Sequence, residues 1–186
     1  VRNEAGFIAR SLGAVLAQDH PSDRMEVLVV DGMSGDGTRV RAEEMAAASD
    51  VPVRLLDNPG LVAPCALNVG LAAATGDVVV RVDGHCEIAA DYVRRCLEVL
   101  DRTGAAGVGG PLETIGETLV ARAIAAAMSS RFGVGDSGFR TGVSGDREVD
   151  TVAFPAYPRR VLERAGPFDE ELVRNQDDEY NLSLIH

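Results

Sequence analysis

Three carboxylates in this chain stand where a parallel sheet would present them to a ligand. Asp31 closes the β-branched run 26–31 (EVLVVD), Asp83 follows 78–82 (VVVRV), and Glu4 comes just after Val1, which reads as the last residue of a first strand. Ligands of open parallel sheets bind beyond the carboxyl ends of the strands, so these positions outrank residues inside the strands. One acid at such a place is usually a cap or a turn former. Three at corresponding places point to a shared ligand. Asp83-Gly84-His85 adds an imidazole two residues after a carboxylate. If the segment is extended, both side chains lie on one face and reach one cation; otherwise it is a plain turn with an exposed histidine. Carboxylate together with diphosphate oxygens suits Mg²⁺, and a histidine ligand moves the preference toward Mn²⁺. Near the end, Gln176-Asp177-Asp178-Glu179 sets three carboxylates in a row at a helix start. The helix macrodipole alone accounts for acids there. Repulsion between Asp177 and Asp178 also favours proton uptake by one of them, the property of a general base.

These residues need a scaffold, and the first half of the chain supplies a regular one. Phe7, Ile8, Leu12, Val15 and Leu16 recur at helical spacing, and strand 26–31 ends at Gly32. The pattern predicts a helix over 38–48, a strand over 53–56, a helix over 64–74 with Pro64 in its first turn, and a strand over 78–82. Strands alternating with helices imply βαβ units and a mostly parallel sheet. Beyond Gly104 the regularity fades: a Gly-rich strand region is followed by a helix over 117–130 and a loop over 131–146 placed to act as a lid. A strand over 149–153, a helix over 159–165 and a last helix from 177 complete the reading.

Two look-alike motifs fail on their context. The run 31–38 (DGMSGDGT) has Met33 and Gly35 where a calcium loop needs oxygen ligands. It reads instead as a tight strand-to-helix turn, in which Asp36 or Thr38 caps the helix and leaves Asp31 free. Residues 133–138 spell G-x-G-x-x-G, but no strand precedes them and no helix follows.

Composition narrows the partners. In 186 residues the chain carries 29 acidic and 18 basic side chains, a formal charge of −11, which argues against a nucleic-acid or anionic-membrane binder. An acidic protein that handles a phosphorylated ligand must mask that charge locally, and a divalent cation does so. Cys65, Cys86 and Cys96 match neither a zinc site nor a disulfide framework, which fits a reducing, cytoplasm-facing compartment. No stretch has the apolar length of a membrane span. Both ends read as cut, so the chain is expected to belong to a longer protein, whose other parts are where any membrane association at the inner face would reside.

Taken together, Arg2-Asn3-Glu4, the run 29–38 (VVDGMSGDGT), Asn68 within Ala66-Leu67-Asn68-Val69-Gly70, Gly76-Asp77, Asp83-Gly84-His85 and Gln176-Asp177 resemble the inverting family 2 glycosyltransferases. Within that family, residues 129–135, Val149-Asp150-Thr151 and Gly166-Pro167-Phe168-Asp169-Glu170 look most like bacterial exopolysaccharide transferases of the succinoglycan type. The resemblance implies an α/β GT-A fold: a Rossmann-like, mostly parallel sheet flanked by helices, with a smaller mixed C-terminal part. Residues 1–103 would be the nucleotide-sugar half and 104–186 the acceptor half of one domain. Glu4, Asp31, Asn58, Asn68 and Asp83 would contact a UDP-sugar donor, Asp83 and His85 would hold Mn²⁺ or Mg²⁺, and the acceptor would be a glycan or lipid-linked glycan. Asp177 matches the family's acceptor-activating aspartate, with Gln176 in place of a Glu and Asp178 as runner-up. Position 183 is Ser where the family has an arginine, and no Q-x-x-R-W motif is present. Two other classes stay open on residues alone, a sugar nucleotidyltransferase and a non-catalytic nucleotide-sugar-binding module. NTP-dependent pyrophosphate release would mark the first, and absence of UDP release the second.

Overall fold

Alternation along strand β1 (Val27–Asp31) sorts its side chains between two helical layers. Val27 and Val29 pack with Ile8, Leu12 and Leu16 of α1 (Ile8–Leu16) and with Ala42 and Met45 of α2 (Thr38–Ala47). Val30 faces the other way, toward α3 (Ala63–Ala73), where a Cβ on Gly70 would lie 3.4 Å from its Cγ2. Strand β2 (Val53–Asp57) pairs with β1 in parallel, Val27 opposite Val53 and Asp31 opposite Asp57. On the other side of β1, the Val1 amino group donates to Val30 O at 2.7 Å and Gly32 N donates to Val1 O at 2.8 Å. Those two bonds are what a parallel strand makes around Asp31, so Val1 sits where a strand end was expected.

This computed structural model describes residues 1–111, 146–149, 152–172 and 179–181. Strand β3 (Val78–Val80) follows α3. Helix α4 (Tyr92–Thr103), strand β4 (Val108–Gly110), strand β5 (Ala153–Pro158) and helix α5 (Arg159–Ala165) come after it. Among the described residues the strands form two sheets, β1 and β2 in parallel with Val1 at their side, and an antiparallel sheet of β3, β5 and β4. β5 lies between β3 and β4 and is antiparallel to both, with Val79 opposite Tyr157 and Val108 opposite Ala156. Val78 and Val80 pack with Ala156 under α4, while Val79 and Tyr157 join Leu67, Leu71, Leu162, Phe168 and Tyr180 on the opposite face.

Two expectations shift. The strand expected over 149–153 lies at Ala153–Pro158 instead. Pro155 and Pro158 argue against a strand because they lack ladder donors. The structure accommodates Pro155 where the β4 register shifts, next to Phe154 at φ +47°. Helix α4 was not expected at all, although Tyr92, Cys96 and Leu100 form an apolar stripe at i, i+4 and i+8 and Gly104 ends it in the left-handed region. The helix over 117–130, most of the loop over 131–146, and Asp177 with Asp178 lie outside the described residues. No helix among the described residues is long and apolar enough to cross a membrane.

Candidate functional site

The loop after β1 holds the segment before α1 by its side chains. The backbone amides of Asn3, Glu4 and Ala5 donate to Ser34 Oγ (2.9 Å), Thr38 Oγ1 (2.7 Å) and Asp36 Oδ2 (3.0 Å), and Gly35 N donates to Asn3 Oδ1 (3.0 Å). Glu4 is thereby fixed beside the carboxyl edge of β1. Its carbonyl then accepts from Phe7 N and Ile8 N, both at 2.8 Å, and opens α1. Gly37, at φ +91°, turns the loop into α2, where Asp36 Oδ1 accepts from the first amide, Thr38 N, at 3.0 Å. The N-cap position itself is Gly37, so Asp36 takes up this amide from one residue earlier, and the Thr38 hydroxyl donates to Asp36 while accepting from Glu4 N.

Asp31 is not free, contrary to the reading of the loop. It is 1% exposed, accepts the Ser34 hydroxyl at 2.5 Å and the Ser34 amide at 3.2 and 3.3 Å, and lies 3.7 Å from Arg39 Nη1. A carboxylate without water needs such partners. Nor is Asp83-Gly84-His85 extended. Cys86 N donates to Asp83 O at 3.0 Å and closes a turn, in which Asp83 Oδ1 accepts from Arg81 Nε at 3.1 Å and His85 Nδ1 lies 3.1 Å from Glu4 Oε1. The turn rather than strand alternation sets the two side chains, because β3 ends at Val80.

Glu4, Asp31 and Asp83 act on the same neighbours. Asp31, Asp83 and Glu4 all lie close enough to Val1 N to act on it electrostatically. Burial first, then Asp83 and Glu4, pushes the Cys86 thiol up to about 11. Cys86 is accordingly a protonated thiol at neutral pH, since its raised pKa leaves little thiolate until the solution is strongly alkaline. Its alkylation by iodoacetamide, followed by peptide mass spectrometry, should be slow at pH 8 and climb with pH toward about 11. A profile levelling off near an ordinary thiol value would mean that Cys86 is neither buried nor faced by the carboxylates as the structure has it.

The two asparagines have other partners. Asn58 is 2% exposed, its amide donates to Asp31 O at 2.8 Å and its Nδ2 to Val62 O at 3.0 Å, while its Oδ1 has no hydrogen-bond partner. Asn58 thus stands beside Asp31 but turns its amide into the loop before α3. Asn68 Nδ2 donates to Phe168 O and Glu170 Oε1, both at 2.9 Å, and its Oδ1 accepts from Phe168 N at 2.8 Å. Its side-chain amide is engaged by the 168–170 turn. Asn68→Ala should cost about 0.5–1.5 kcal/mol of stability, the net range for an ordinary hydrogen bond, because these bonds are only part-buried. Chemical denaturation measures that loss; unchanged stability would show the tie to be ornamental.

Sequence reasoning overlooked Ser34 and Arg39. The one signal for Arg39 was a cation in the first turn of α2, where the macrodipole disfavours one and a nearby anion would offset the cost. Residues 1–148 match the sequence profile described as Glycosyl transferase family 2. The chain belongs to this family. Among relatives of this family 2 domain, the succinoglycan biosynthesis protein ExoA of Rhizobium meliloti is 32% identical over 160 residues, covering 85% of this chain and 48% of ExoA. The chain spans about half the length of the curated relatives it matches. Solved structures share its GT-A fold. S. aureus TarS 1–349 in complex with UDP superposes at a TM-score of 0.72 with 23% identity, covering 97% of this chain and 52% of TarS. The mannosyltransferase PcManGT of Pyrobaculum calidifontis, in complex with GDP-Man and Mn²⁺, gives 0.70 with 24% identity over 97% of this chain and 48% of its own.

Proposed function

We propose that this family 2 domain transfers a sugar from a UDP-sugar to a carbohydrate acceptor in polysaccharide biosynthesis, inverting the anomeric centre and using a divalent cation. The observation that carries the reading is the convergence of Glu4, Asp31, Asp83 and His85, from three separate segments, at the carboxyl edge of β1. The UDP complex of TarS, the Mn²⁺ complex of PcManGT and the role of ExoA in succinoglycan synthesis support it. Glu4 and Asp31 offer carboxylate oxygens to the N–H and O–H groups of uridine, a pairing worth more than a neutral hydrogen bond.

Asp83 and His85 fit a cation only in part, and the part is the useful one. Among the described residues no group of three or more His, Cys, Asp or Glu side chains forms a complete cage. Mg²⁺ and Mn²⁺ at phosphate sites ordinarily take one or two protein ligands and fill the rest with phosphate oxygens and water. Bound there, the ion supplies Lewis-acid stabilisation of the departing diphosphate. In a chain of net charge −11 no general basic surface could replace it. Asp177, with Asp178 as the alternative, would remove the acceptor hydroxyl's proton, and a single displacement would then invert the anomeric carbon.

Calorimetric titration with UDP in Mn²⁺, in Mg²⁺ and in EDTA tests the donor site, and UDP release from UDP-sugars with a glycan acceptor tests the transfer. Binding that either metal strengthens is expected. Absence of UDP binding in all three buffers would overturn the reading.

A further inference from the structure

Asp31 and Asp57 end two adjacent parallel strands in register. Paired positions of a parallel ladder project to the same face, so two like charges stand side by side, an arrangement that is destabilising unless something intervenes. Arg39 intervenes. Its Nη1 donates to Asp57 Oδ1 at 2.5 Å and lies 3.7 Å from Asp31 Oδ2, while its Nε donates to Glu43 Oε1 at 3.1 Å. The two aspartates differ in kind: the Asp31 side chain is 2% exposed and that of Asp57 is 63% exposed. Asp57 can turn to water, but Asp31 cannot.

The hydrogen bonds to Asp31 divide its oxygens. Ser34 Oγ donates to Oδ1 alone, and the Ser34 amide sits between the two oxygens. Oδ2 is the oxygen that faces Arg39. Ser34 holds one oxygen of the carboxylate by a hydrogen bond, and the Arg39 guanidinium lies at ion-pair distance from the other. Helix α2 has no acidic residue in its first turn, and its N-terminal dipole disfavours a cation there.

We infer that Arg39 is a positioning residue for nucleoside recognition, holding the Asp31 carboxylate in the orientation that accepts a hydrogen bond from the donor's uridine. The inference rests on the donor-site reading given above. Arg39 touches no reacting atom in this scheme; it acts through Asp31, and it separates Asp31 from Asp57. A misoriented acceptor loses the hydrogen bonds that tell one nucleoside from another, whereas contacts to the diphosphate are untouched. The signature of Arg39 is thus selectivity as well as affinity. Cytosine has an acceptor at N3 where uracil has N3–H and carries its donor on N4, and 2′-deoxyuridine lacks one ribose hydroxyl, so CDP tests the base contact and 2′-deoxy-UDP the ribose contact.

The experiment is calorimetry on the wild type, Arg39→Met, Arg39→Lys and Glu43→Gln, each titrated with UDP, CDP and 2′-deoxy-UDP in Mn²⁺. Thermal melts of the same samples confirm that each variant is folded at the titration temperature. Arg39→Met should lose about tenfold in UDP affinity, close to 1.4 kcal/mol by the standard conversion, and its preference for UDP over one of the two analogues should narrow. Arg39→Lys restores a charge without the fork and should recover part of both. Glu43→Gln, which removes only the exposed pair on α2, should bind all three ligands as the wild type does. Equal losses for all three nucleotides in Arg39→Met, or no loss, overturn the inference while the donor site stands. Failure of the wild type to bind UDP overturns the donor-site reading, and the inference falls with it.

Discussion

Asp83→Ala is expected to abolish the metal-dependent part of UDP binding while leaving the fold in place. The side chain of Asp83 pairs with Arg81 Nε at 3.1 Å, Asp83 being 35% and Arg81 17% exposed, so its loss should cost about 1 kcal/mol or somewhat more, at or above the top of the range for surface pairs and too little to unfold the chain. What the backbone of Asp83 does survives the substitution. Its carbonyl accepts from Cys86 N at 3.0 Å and from Ser11 Oγ at 3.1 Å, so the turn stays closed and tied to α1. The carboxylate itself has the opposite balance, with little structural duty and a place beside Glu4 and His85 where a diphosphate's cation would sit. Loss of a charged ligand should weaken UDP binding in Mn²⁺ by about 100-fold, roughly 2.7 kcal/mol at 1.4 kcal/mol per decade. In EDTA the variant and the wild type should bind UDP alike, because only the cation's contribution has been removed. Calorimetry in the two buffers gives all four values. A variant that still responds to Mn²⁺ as the wild type does would move the cation to other residues.

The parts of this protein that local rules govern were legible in its sequence. Helix α5 falls where its composition put it, and β1, α2, β2 and α3 lie within a residue or so of expectation, because β-branched runs and a proline in a first turn are signals that need no tertiary partner. The antiparallel return through β5 was not legible. Pro155 and Pro158 disguise it, and only long-range pairing with β3 and β4 makes a strand of Ala153–Pro158. Helix α4 carried its apolar stripe openly and was passed over. For the site, the positions of Glu4, Asp31 and Asp83 came from strand ends, yet their environment did not. Nothing in one sequence tells that Ser34 lies over Asp31, or that Asp83-Gly84-His85 turns instead of running on. Asn68 shows the same limit from the other side. An asparagine on a helix can face a ligand or tie down a turn 100 residues later, and which it does depends on contacts that spacing does not encode.

Gly84→Ala should damage both the fold and the donor site, and by a route that separates it from Asp83→Ala. A Cβ at position 84 would lie 2.6 Å from Val1 Cγ1 and 3.2 Å from both Val1 Cβ and Glu4 Cγ. Carbon atoms do not approach so closely, so one side must give way. Val1 is poorly able to retreat, being hydrogen-bonded to Val30 and Gly32 and packed against the cluster of Ile8, Leu12, Val29 and Ala42. Glu4 is held by Thr38 Oγ1 at 2.7 Å through its amide. The turn is the softer partner, and its displacement outward carries Asp83 and His85 away from Glu4. Overpacking of this kind costs about 1–3 kcal/mol, and UDP affinity in Mn²⁺ should fall by about tenfold or more as the ligands separate. A thermal melt shows the first loss and calorimetry the second. The pairing of the two losses is diagnostic, since Asp83→Ala should lower affinity with a melting temperature close to that of the wild type. Should Gly84→Ala melt and bind as the wild type does, the close packing of Val1, Glu4 and the 83–86 turn would not be what assembles the site.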